Sequence, residues 1–233
     1  MSGRNSTLIS PALGGGFIRI HMVAGLALLI ALFAVAGQAF ADEYVVDSAR
    51  SELAVRLFKG GIAAALAHNH VIRAIGFTGS ARLDADTPAN SFISIDVQTA
   101  SLRADEPNVR EKYGLIEPMK AQDRAKIQET MESAAQMNVA EYPTMRFQST
   151  RIEKQSESDL LVTGDLTMHG VTRPVSFPVT VETVGDALRG KASLKFKQSD
   201  FGIKPYSAFL GAVRNEDEAM MYLDIVAIPA PKP

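Results

Sequence analysis

The sequence predicts an all-β, antiparallel domain, a sandwich or a barrel, with one helical insert between strands. Three observations carry that expectation. About nine short runs alternate apolar and polar residues with the period of two that marks half-buried strands. Turn residues separate most of these runs at hairpin spacing. Between residues 104 and 136 the alternation stops and helix-forming residues take over.

Glu43–Asp47 is a short first strand and Ser48–Arg50 a turn. Ser51–Phe58 is a second strand with Val55 and Leu57 on one face, and the pair reads as a hairpin. Gly60-Gly61 punctuates. Ile62–Ala67 is a small apolar stretch, one helical turn or a wide loop, leading into His68-Asn69-His70. Val71–Leu83 reads as one long strand with Val71, Ile75 and Phe77 on a common face. Asp84–Asn90 is a turn cluster around Pro88. Phe92–Thr99 is a strand with Ile93, Ile95 and Val97 inward.

Pro107 and Pro118 delimit the insert, and proline is tolerated in a first helical turn. Met119–Met137 predicts one helix with a thin apolar stripe of Ile127, Met131, Ala134 and Ala135, packed on the sheet or capping one end.

Thr144–Glu153 is a strand carrying Met145 and Phe147. A polar turn then leads to Leu160–Val175 (LLVTGDLTMHGVTRPV), around which the chain is organised. Leu160, Val162, Gly164 and Leu166 alternate with Leu161, Thr163, Asp165 and Thr167. His169-Gly170 makes a tight corner, and Val175, Phe177, Val179 and Val181 resume the alternation. Pro174 and Pro178 share the outward face. Proline donates nothing to a ladder, so this strand is expected to be an edge or bulged there. Asp165 and Arg173 are placed to pair across the corner. Leu188, Ala192, Leu194 and Phe196 face in on the next strand, with basic residues between them. Lys204–Asp217 reads as a long loop containing Tyr206. Ala219–Ile228 is the last strand, with Leu223 and Ile225 inward, and residues 229–233 are expected to be a disordered tail.

The start of the chain reads as an address. Residues 1–21 carry Arg4, Arg19 and His21 but no acid, Met22–Gly37 is an apolar run of sixteen, and Ala39-Phe40-Ala41 places small residues where a signal peptidase reads. A signal peptide over 1–41, cleaved between Ala41 and Asp42, predicts export to the periplasm. An uncleaved anchor is the alternative, although sixteen apolar residues are few for a membrane span. Removing 1–41 takes away two arginines and leaves 22 Lys+Arg against 26 Asp+Glu, a net of −4. That balance argues against a nucleic-acid partner, which calls for a basic face. The chain contains no cysteine, which excludes disulfides and thiolate chemistry. Stability must come from a packed core.

Several stretches together resemble the YceI-like family of lipid- and polyisoprenoid-binding proteins. They are Tyr44-Val45-Val46-Asp47 with Ser51, His68 eight residues before Gly76-Phe77, Tyr142–Phe147, Gly164–Val175 and Ser199–Ile203. The resemblance spans almost all of 42–228, and Gly164–Val175 is its most specific part. It implies an extended, lipocalin-like, eight-stranded antiparallel barrel that holds a long apolar chain such as an isoprenoid lipid in its bore. It implies no catalysis and no cofactor. It leaves open transient contact with a membrane or membrane protein, and a homodimer. Arg50 stands where the family often has histidine and Gln198 where a basic residue is common. The His-Asn-His run suggests a subgroup.

The candidate ligand-binding residues follow from the alternation and the resemblance together. Val55, Leu57, Ile75 and Phe77 come from the first strands, Ile95 and Phe147 from the middle, and Val162, Leu166, Phe177, Leu194 and Phe196 from the later hairpins. His68, His70 and Tyr206 are the candidates for a polar mouth. Pattern alone does not separate a lined cavity from a filled core, since both need inward apolar residues.

A second class of function is a periplasmic metal- or haem-associated redox partner using His68 and His70, which would share a strand face, with His169. A metal site normally takes three or more protein ligands, so polar-loop or mouth hydrogen bonding is the stronger reading of these imidazoles. For His169 the corresponding reading is a hydrogen bond to a backbone carbonyl. No nucleophile elbow or paired carboxylates occur, and Asp200-Phe201-Gly202 lacks the glycine-rich loop of a kinase.

Overall fold

The computed structural model describes residues 42–84 and 87–231. The expected signal peptide, 1–41, lies outside them, as do the last two residues of the expected tail. Among the described residues the strands and helices in chain order are β1 Asp42–Val46, β2 Glu52–Gly60, β3 His70–Ala74, β4 Phe77–Leu83, β5 Phe92–Gln98 and β6 Leu102–Ala104, then α1 Pro107–Lys112 and α2 Ala121–Glu132. There follow β7 Thr144–Lys154, β8 Asp159–Met168, β9 Val171–Val184, β10 Ala187–Lys197, β11 Ser207–Ala208 and β12 Val213–Pro229.

The first six strands are three long strands, each broken once. β1 and β2 both run antiparallel to β12, with Val46 opposite Ala227 and Glu52 opposite Asp224. They therefore lie in line. β4 pairs β1 while β3 pairs β2, and β5 pairs β4 while β6 pairs β3. From β5 the order continues through β7, β8, β9 and β10 to β12, which returns to β1 and β2. Counted this way, the described residues form a closed, eight-stranded, antiparallel barrel. Closure leaves only local edges among the described residues, at β6 and along the first half of β9.

The expected β1–β2 hairpin does not form. Asp47 Oδ1 accepts the Ala49 and Arg50 N–H groups at 3.1 and 3.3 Å. The Ser51 hydroxyl donates to Asp47 O at 2.7 Å and accepts the Val226 N–H at 2.8 Å. Ser51 thus fills the ladder position that the loop vacates, and the chain rejoins the same strand line.

The Val71–Leu83 run is also broken. A Cβ on Gly76 would lie 2.8 Å from Ser101 Cβ, so only glycine lets these strands approach. The kink at Ile75-Gly76 slips the alternation by one. Ile72 and Ala74 face in before it and Phe77 after it, while Ile75 is 45% exposed. Val71 faces out, where α1 covers it together with Ala54, Val109 and Leu115.

Three other expectations change. The insert holds two short helices, not one over 119–137: Lys120 precedes α2 in extended geometry, and Ala134 and Ala135 are exposed. The last strand starts at Val213 within the expected loop and runs to Pro229, and the Ala230 N–H donates to Glu43 O at 2.8 Å, so the tail is ordered that far. Asp165 lies opposite Pro174, and Arg173 Nε donates to the Asp200 carbonyl at 2.9 Å, not to Asp165.

The proline expectation holds. β9 pairs β10 only from Val179 onward, so the segment with Pro174 and Pro178 has β8 alone as a ladder partner. The turn Gln198–Phe201 returns into the space where β9 and β10 part. Phe201, 1% exposed, packs edge-on to Phe196 at 5.9 Å there. His169 (φ +50) and Gly170 (φ +72) form the tight β8–β9 corner.

Candidate functional site: an apolar bore with one polar end

The alternation that builds the barrel also builds its interior. Inward side chains from every wall line a cavity of about 530 Å³. Val55 and Leu57 come from β2, Ile95 from β5, Phe147 from β7, Val162 and Leu166 from β8. Phe177, Leu194 and Phe196 complete the opposite wall. Phe147 and Phe177 touch at 5.5 Å between ring centroids. The cavity lies within the roughly 300–1,000 Å³ range of ligand sites. Leu188 and Phe196 on β10 both line it, eight residues apart, about 26 Å along the strand and about 20 Å deep after barrel tilt.

Polar side chains gather at one end, with Ser80 a single polar lining residue toward the other. Leu83, Val181, Leu188 and Ala227 line the end where β4, β9, β10 and β12 meet their far turns. His70, Gln198, Tyr206 and Asn215 line the other. There α2 lies across the barrel and directs Ile127 and Met131 inward, which is the capping role its stripe suggested. α2 buries no residue fully, and Gln128 holds it in place. Its Oε1 accepts the Ala104 N–H and its Nε2 donates to Leu102 O, each at 2.8 Å. One amide side chain thus acts as the next strand for the short edge β6.

His70 is positioned by a buried charge network. Its Nδ1 lies 2.6 Å from Asp105 Oδ2. Asp105 is 0% exposed and also accepts the Val71 N–H at 3.1 Å and Arg110 Nη1 at 2.9 Å. Burial pushes the Asp105 carboxyl up, but His70, the Val71 N–H and Arg110 together hold it below the usual carboxylate range. An ionised carboxylate only accepts, so Nδ1 carries the proton, and Nε2 is the ring nitrogen that the Asp105 contact leaves unused. Arg110 itself is buried and donates to Asn69 O and Glu117 O.

Most of the expected site converges. Val55, Leu57, Ile95, Phe147, Val162, Leu166, Phe177, Leu194, Phe196, His70 and Tyr206 all line the cavity. Three do not. Phe77 is buried in the wall beside Leu53 and Ile95 without lining the open volume. Ile75 faces outside because of the kink. His68 is exposed in the loop before β3, so it does not share a strand face with His70. His169 packs against Tyr142 with ring centroids 4.2 Å apart and the planes inclined at 52°, and its buried Nε2 meets no hydrogen-bonding partner among the described residues, where a carbonyl had been expected. Among the described residues no group of three or more His, Cys, Asp and Glu side chains is placed to hold a metal. Sequence reasoning missed Asp105, Arg110 and Gln128, which sit in the insert, where no strand alternation points inward.

The YceI-like domain matches residues 44–227, nearly the whole described barrel. The chain belongs to the YceI-like family. It is 34% identical to a UPF0312 protein of Pseudomonas putida over 187 residues, 78% of this chain and 86% of the relative. A UPF0312 protein of Pseudomonas syringae pv. tomato is 30% identical over 190 residues, again 78% and 86%. The fold is similar to that of BcnA from Burkholderia cenocepacia, with a TM-score of 0.60 at 18% identity over 78% of this chain and 98% of that one. It is also similar to the YCEI protein of Campylobacter jejuni, with a TM-score of 0.52 at 14% identity over 69% and 85%. This YceI-like barrel therefore encloses an apolar cavity whose polar side chains gather mostly at one end.

Proposed function

We propose that this protein is an exported carrier that holds a long-chain lipid, an isoprenoid or a chain of similar shape, inside its barrel. The observation that carries the reading is the deep, largely apolar cavity of about 530 Å³ with most of its polar groups gathered at one end. Each methylene taken from water contributes roughly 0.8 kcal/mol, so a chain of about ten carbons reaches micromolar binding without a specific polar contact. The chain lies along the bore, and its polar terminus sits at the end with His70, Gln198, Tyr206 and Asn215. His70, fixed by Asp105, offers Nε2 to a hydroxyl or similar group. The reading assigns no covalent step. The N-terminal pattern supports periplasmic export with cleavage after Ala41. The His68/His70 metal or haem reading finds no supporting geometry and is not carried forward.

The test is native mass spectrometry of protein purified without detergent from an exporting host. An added mass that extracts into organic solvent is expected. Ala192, midway along β10 opposite Leu223 and Val179, lines the bore, and Ala192→Trp narrows it. That variant is expected to fold and to lose the added mass. A bare native mass, or a mass that Ala192→Trp retains, overturns the reading.

A further inference from the structure

Four large apolar side chains stand in water at the polar end of the barrel. Ile62 and Leu66, between β2 and β3, are 99% and 81% exposed, and Phe209 and Leu210, between β11 and β12, are 82% and 109% exposed. The two loops form one tip. The Ala63 N–H donates to Ala212 O at 2.8 Å, and just below it Gly60 pairs with Arg214.

The backbone under this tip is strained. Phe209 and Leu210 have φ of +50° and +56°, left-handed geometry that a residue with a Cβ adopts at a cost. Both side chains are held outward, and their exposure shows that no packing within the barrel offsets the strain.

The tip adjoins the cavity. Tyr206 and Asn215 flank the Ser207–Val213 turn and line the bore, as do Leu57 and His70 on either side of the other loop. Its charge differs from that of the rest of the domain. Residues 53–71 contain Arg56 and Lys59 and no acid, and residues 201–215 contain Lys204 and Arg214 and no acid. The next acid along the chain, Glu216, lies below the tip beside Gly60 and pairs with Arg214 at 3.6 Å, which leaves Arg56, Lys59 and Lys204 as the other cations of the two segments around the loops. A convex tip of singly projecting apolar side chains beside cations fits a fluid interface better than a rigid partner, which would need a matching pocket.

We propose that the tip formed by Ile62, Leu66, Phe209 and Leu210 inserts into the surface of an anionic phospholipid bilayer and seats the cavity's polar end on the membrane. This deepens the carrier reading, since it places the point of lipid exchange, but the insertion itself does not depend on which lipid the cavity holds.

The experiment is flotation of the chain from Asp42, which contains every strand of the closed barrel, with phosphatidylethanolamine–phosphatidylglycerol vesicles against phosphatidylcholine vesicles. The native chain is expected to float with the anionic vesicles, less so in high salt. Phe209→Gly with Leu210→Gly relieves the left-handed strain and removes no packed side chain, so its thermal midpoint is expected to equal or exceed the native one. Its partitioning is expected to fall at least about tenfold. Ile62→Ser with Leu66→Ser tests the other loop and is expected to show the same loss. The proposal is overturned if the native chain does not float, if both double variants float as the native chain does, or if the tip instead drives a concentration-dependent dimer seen by light scattering. Lipid extracted from the same preparations reports separately on the cavity: flotation with an empty bore defeats the carrier reading and leaves the tip standing.

Discussion

Replacing Asp105 tests the network that fixes His70. Asp105→Ala leaves the buried Arg110 guanidinium with Asn69 O at 3.0 Å, Glu117 O at 3.2 Å and the Glu117 carboxylate at 3.8 Å. Removing one partner of a buried ion pair costs about 3–5 kcal/mol, and stranding the Val71 N–H costs about 1–3 kcal/mol. The two share one carboxylate and do not add, so about 4 kcal/mol is expected, a large part of a typical stability of about 5–15 kcal/mol. Asp105→Asn keeps an acceptor, and asparagine tolerates the φ of +54° found there, so it should cost about half as much. Urea unfolding of the chain from Asp42 measures both. With a slope of about 2 kcal/mol per molar, Asp105→Ala lowers the midpoint by about 2 M at unchanged slope. The pH dependence follows from the same group. Its native pKa is held below the ordinary value near 4, so its stabilisation is fully present above that value and is lost as pH falls through the native pKa. The native midpoint therefore declines on acidification, and Asp105→Asn shows a flatter acid limb. A midpoint shift of less than about 0.5 M for Asp105→Ala, or equal damage from both variants, would refute the assignment of Asp105 as a charge anchor.

Two further outcomes follow from single contacts. Gln128→Ala removes both bonds that dock α2 on β6, for about 1–2 kcal/mol in total; amide exchange over 121–132 should accelerate while the barrel strands keep their protection, and under the proposed carrier role any lipid that co-purifies should leave faster. Phe201→Ala empties the wedge between β9 and β10 and should lower unfolding stability by about 3–5 kcal/mol, more than an equivalent truncation of exposed Phe209.

Much of the barrel was legible because it rests on local pattern. The inward faces of β5, β8, β9 and β10 follow a period of two, as does β7 up to the register shift between Ser149 and Arg151 that brings Ile152 inward, and the His169-Gly170 corner and the outward prolines need only neighbours in sequence to explain them. The sequence by itself thus determined the fold class, the inward faces of β5, β8, β9 and β10 and the apolar character of the bore. The tertiary structure decided the rest, because each remaining feature depends on residues far apart in the chain. Ser51 makes β1 and β2 collinear by binding Val226, 175 positions away. Ser101 crowds Gly76 and so turns Ile75 outward. Asp105 reaches back to His70 and makes one histidine of the pair a cavity group, while His68 stays in solvent. Whether inward apolar side chains fill a core or line a cavity depends on strand number and closure, and those are set when β12 meets β1 and β2.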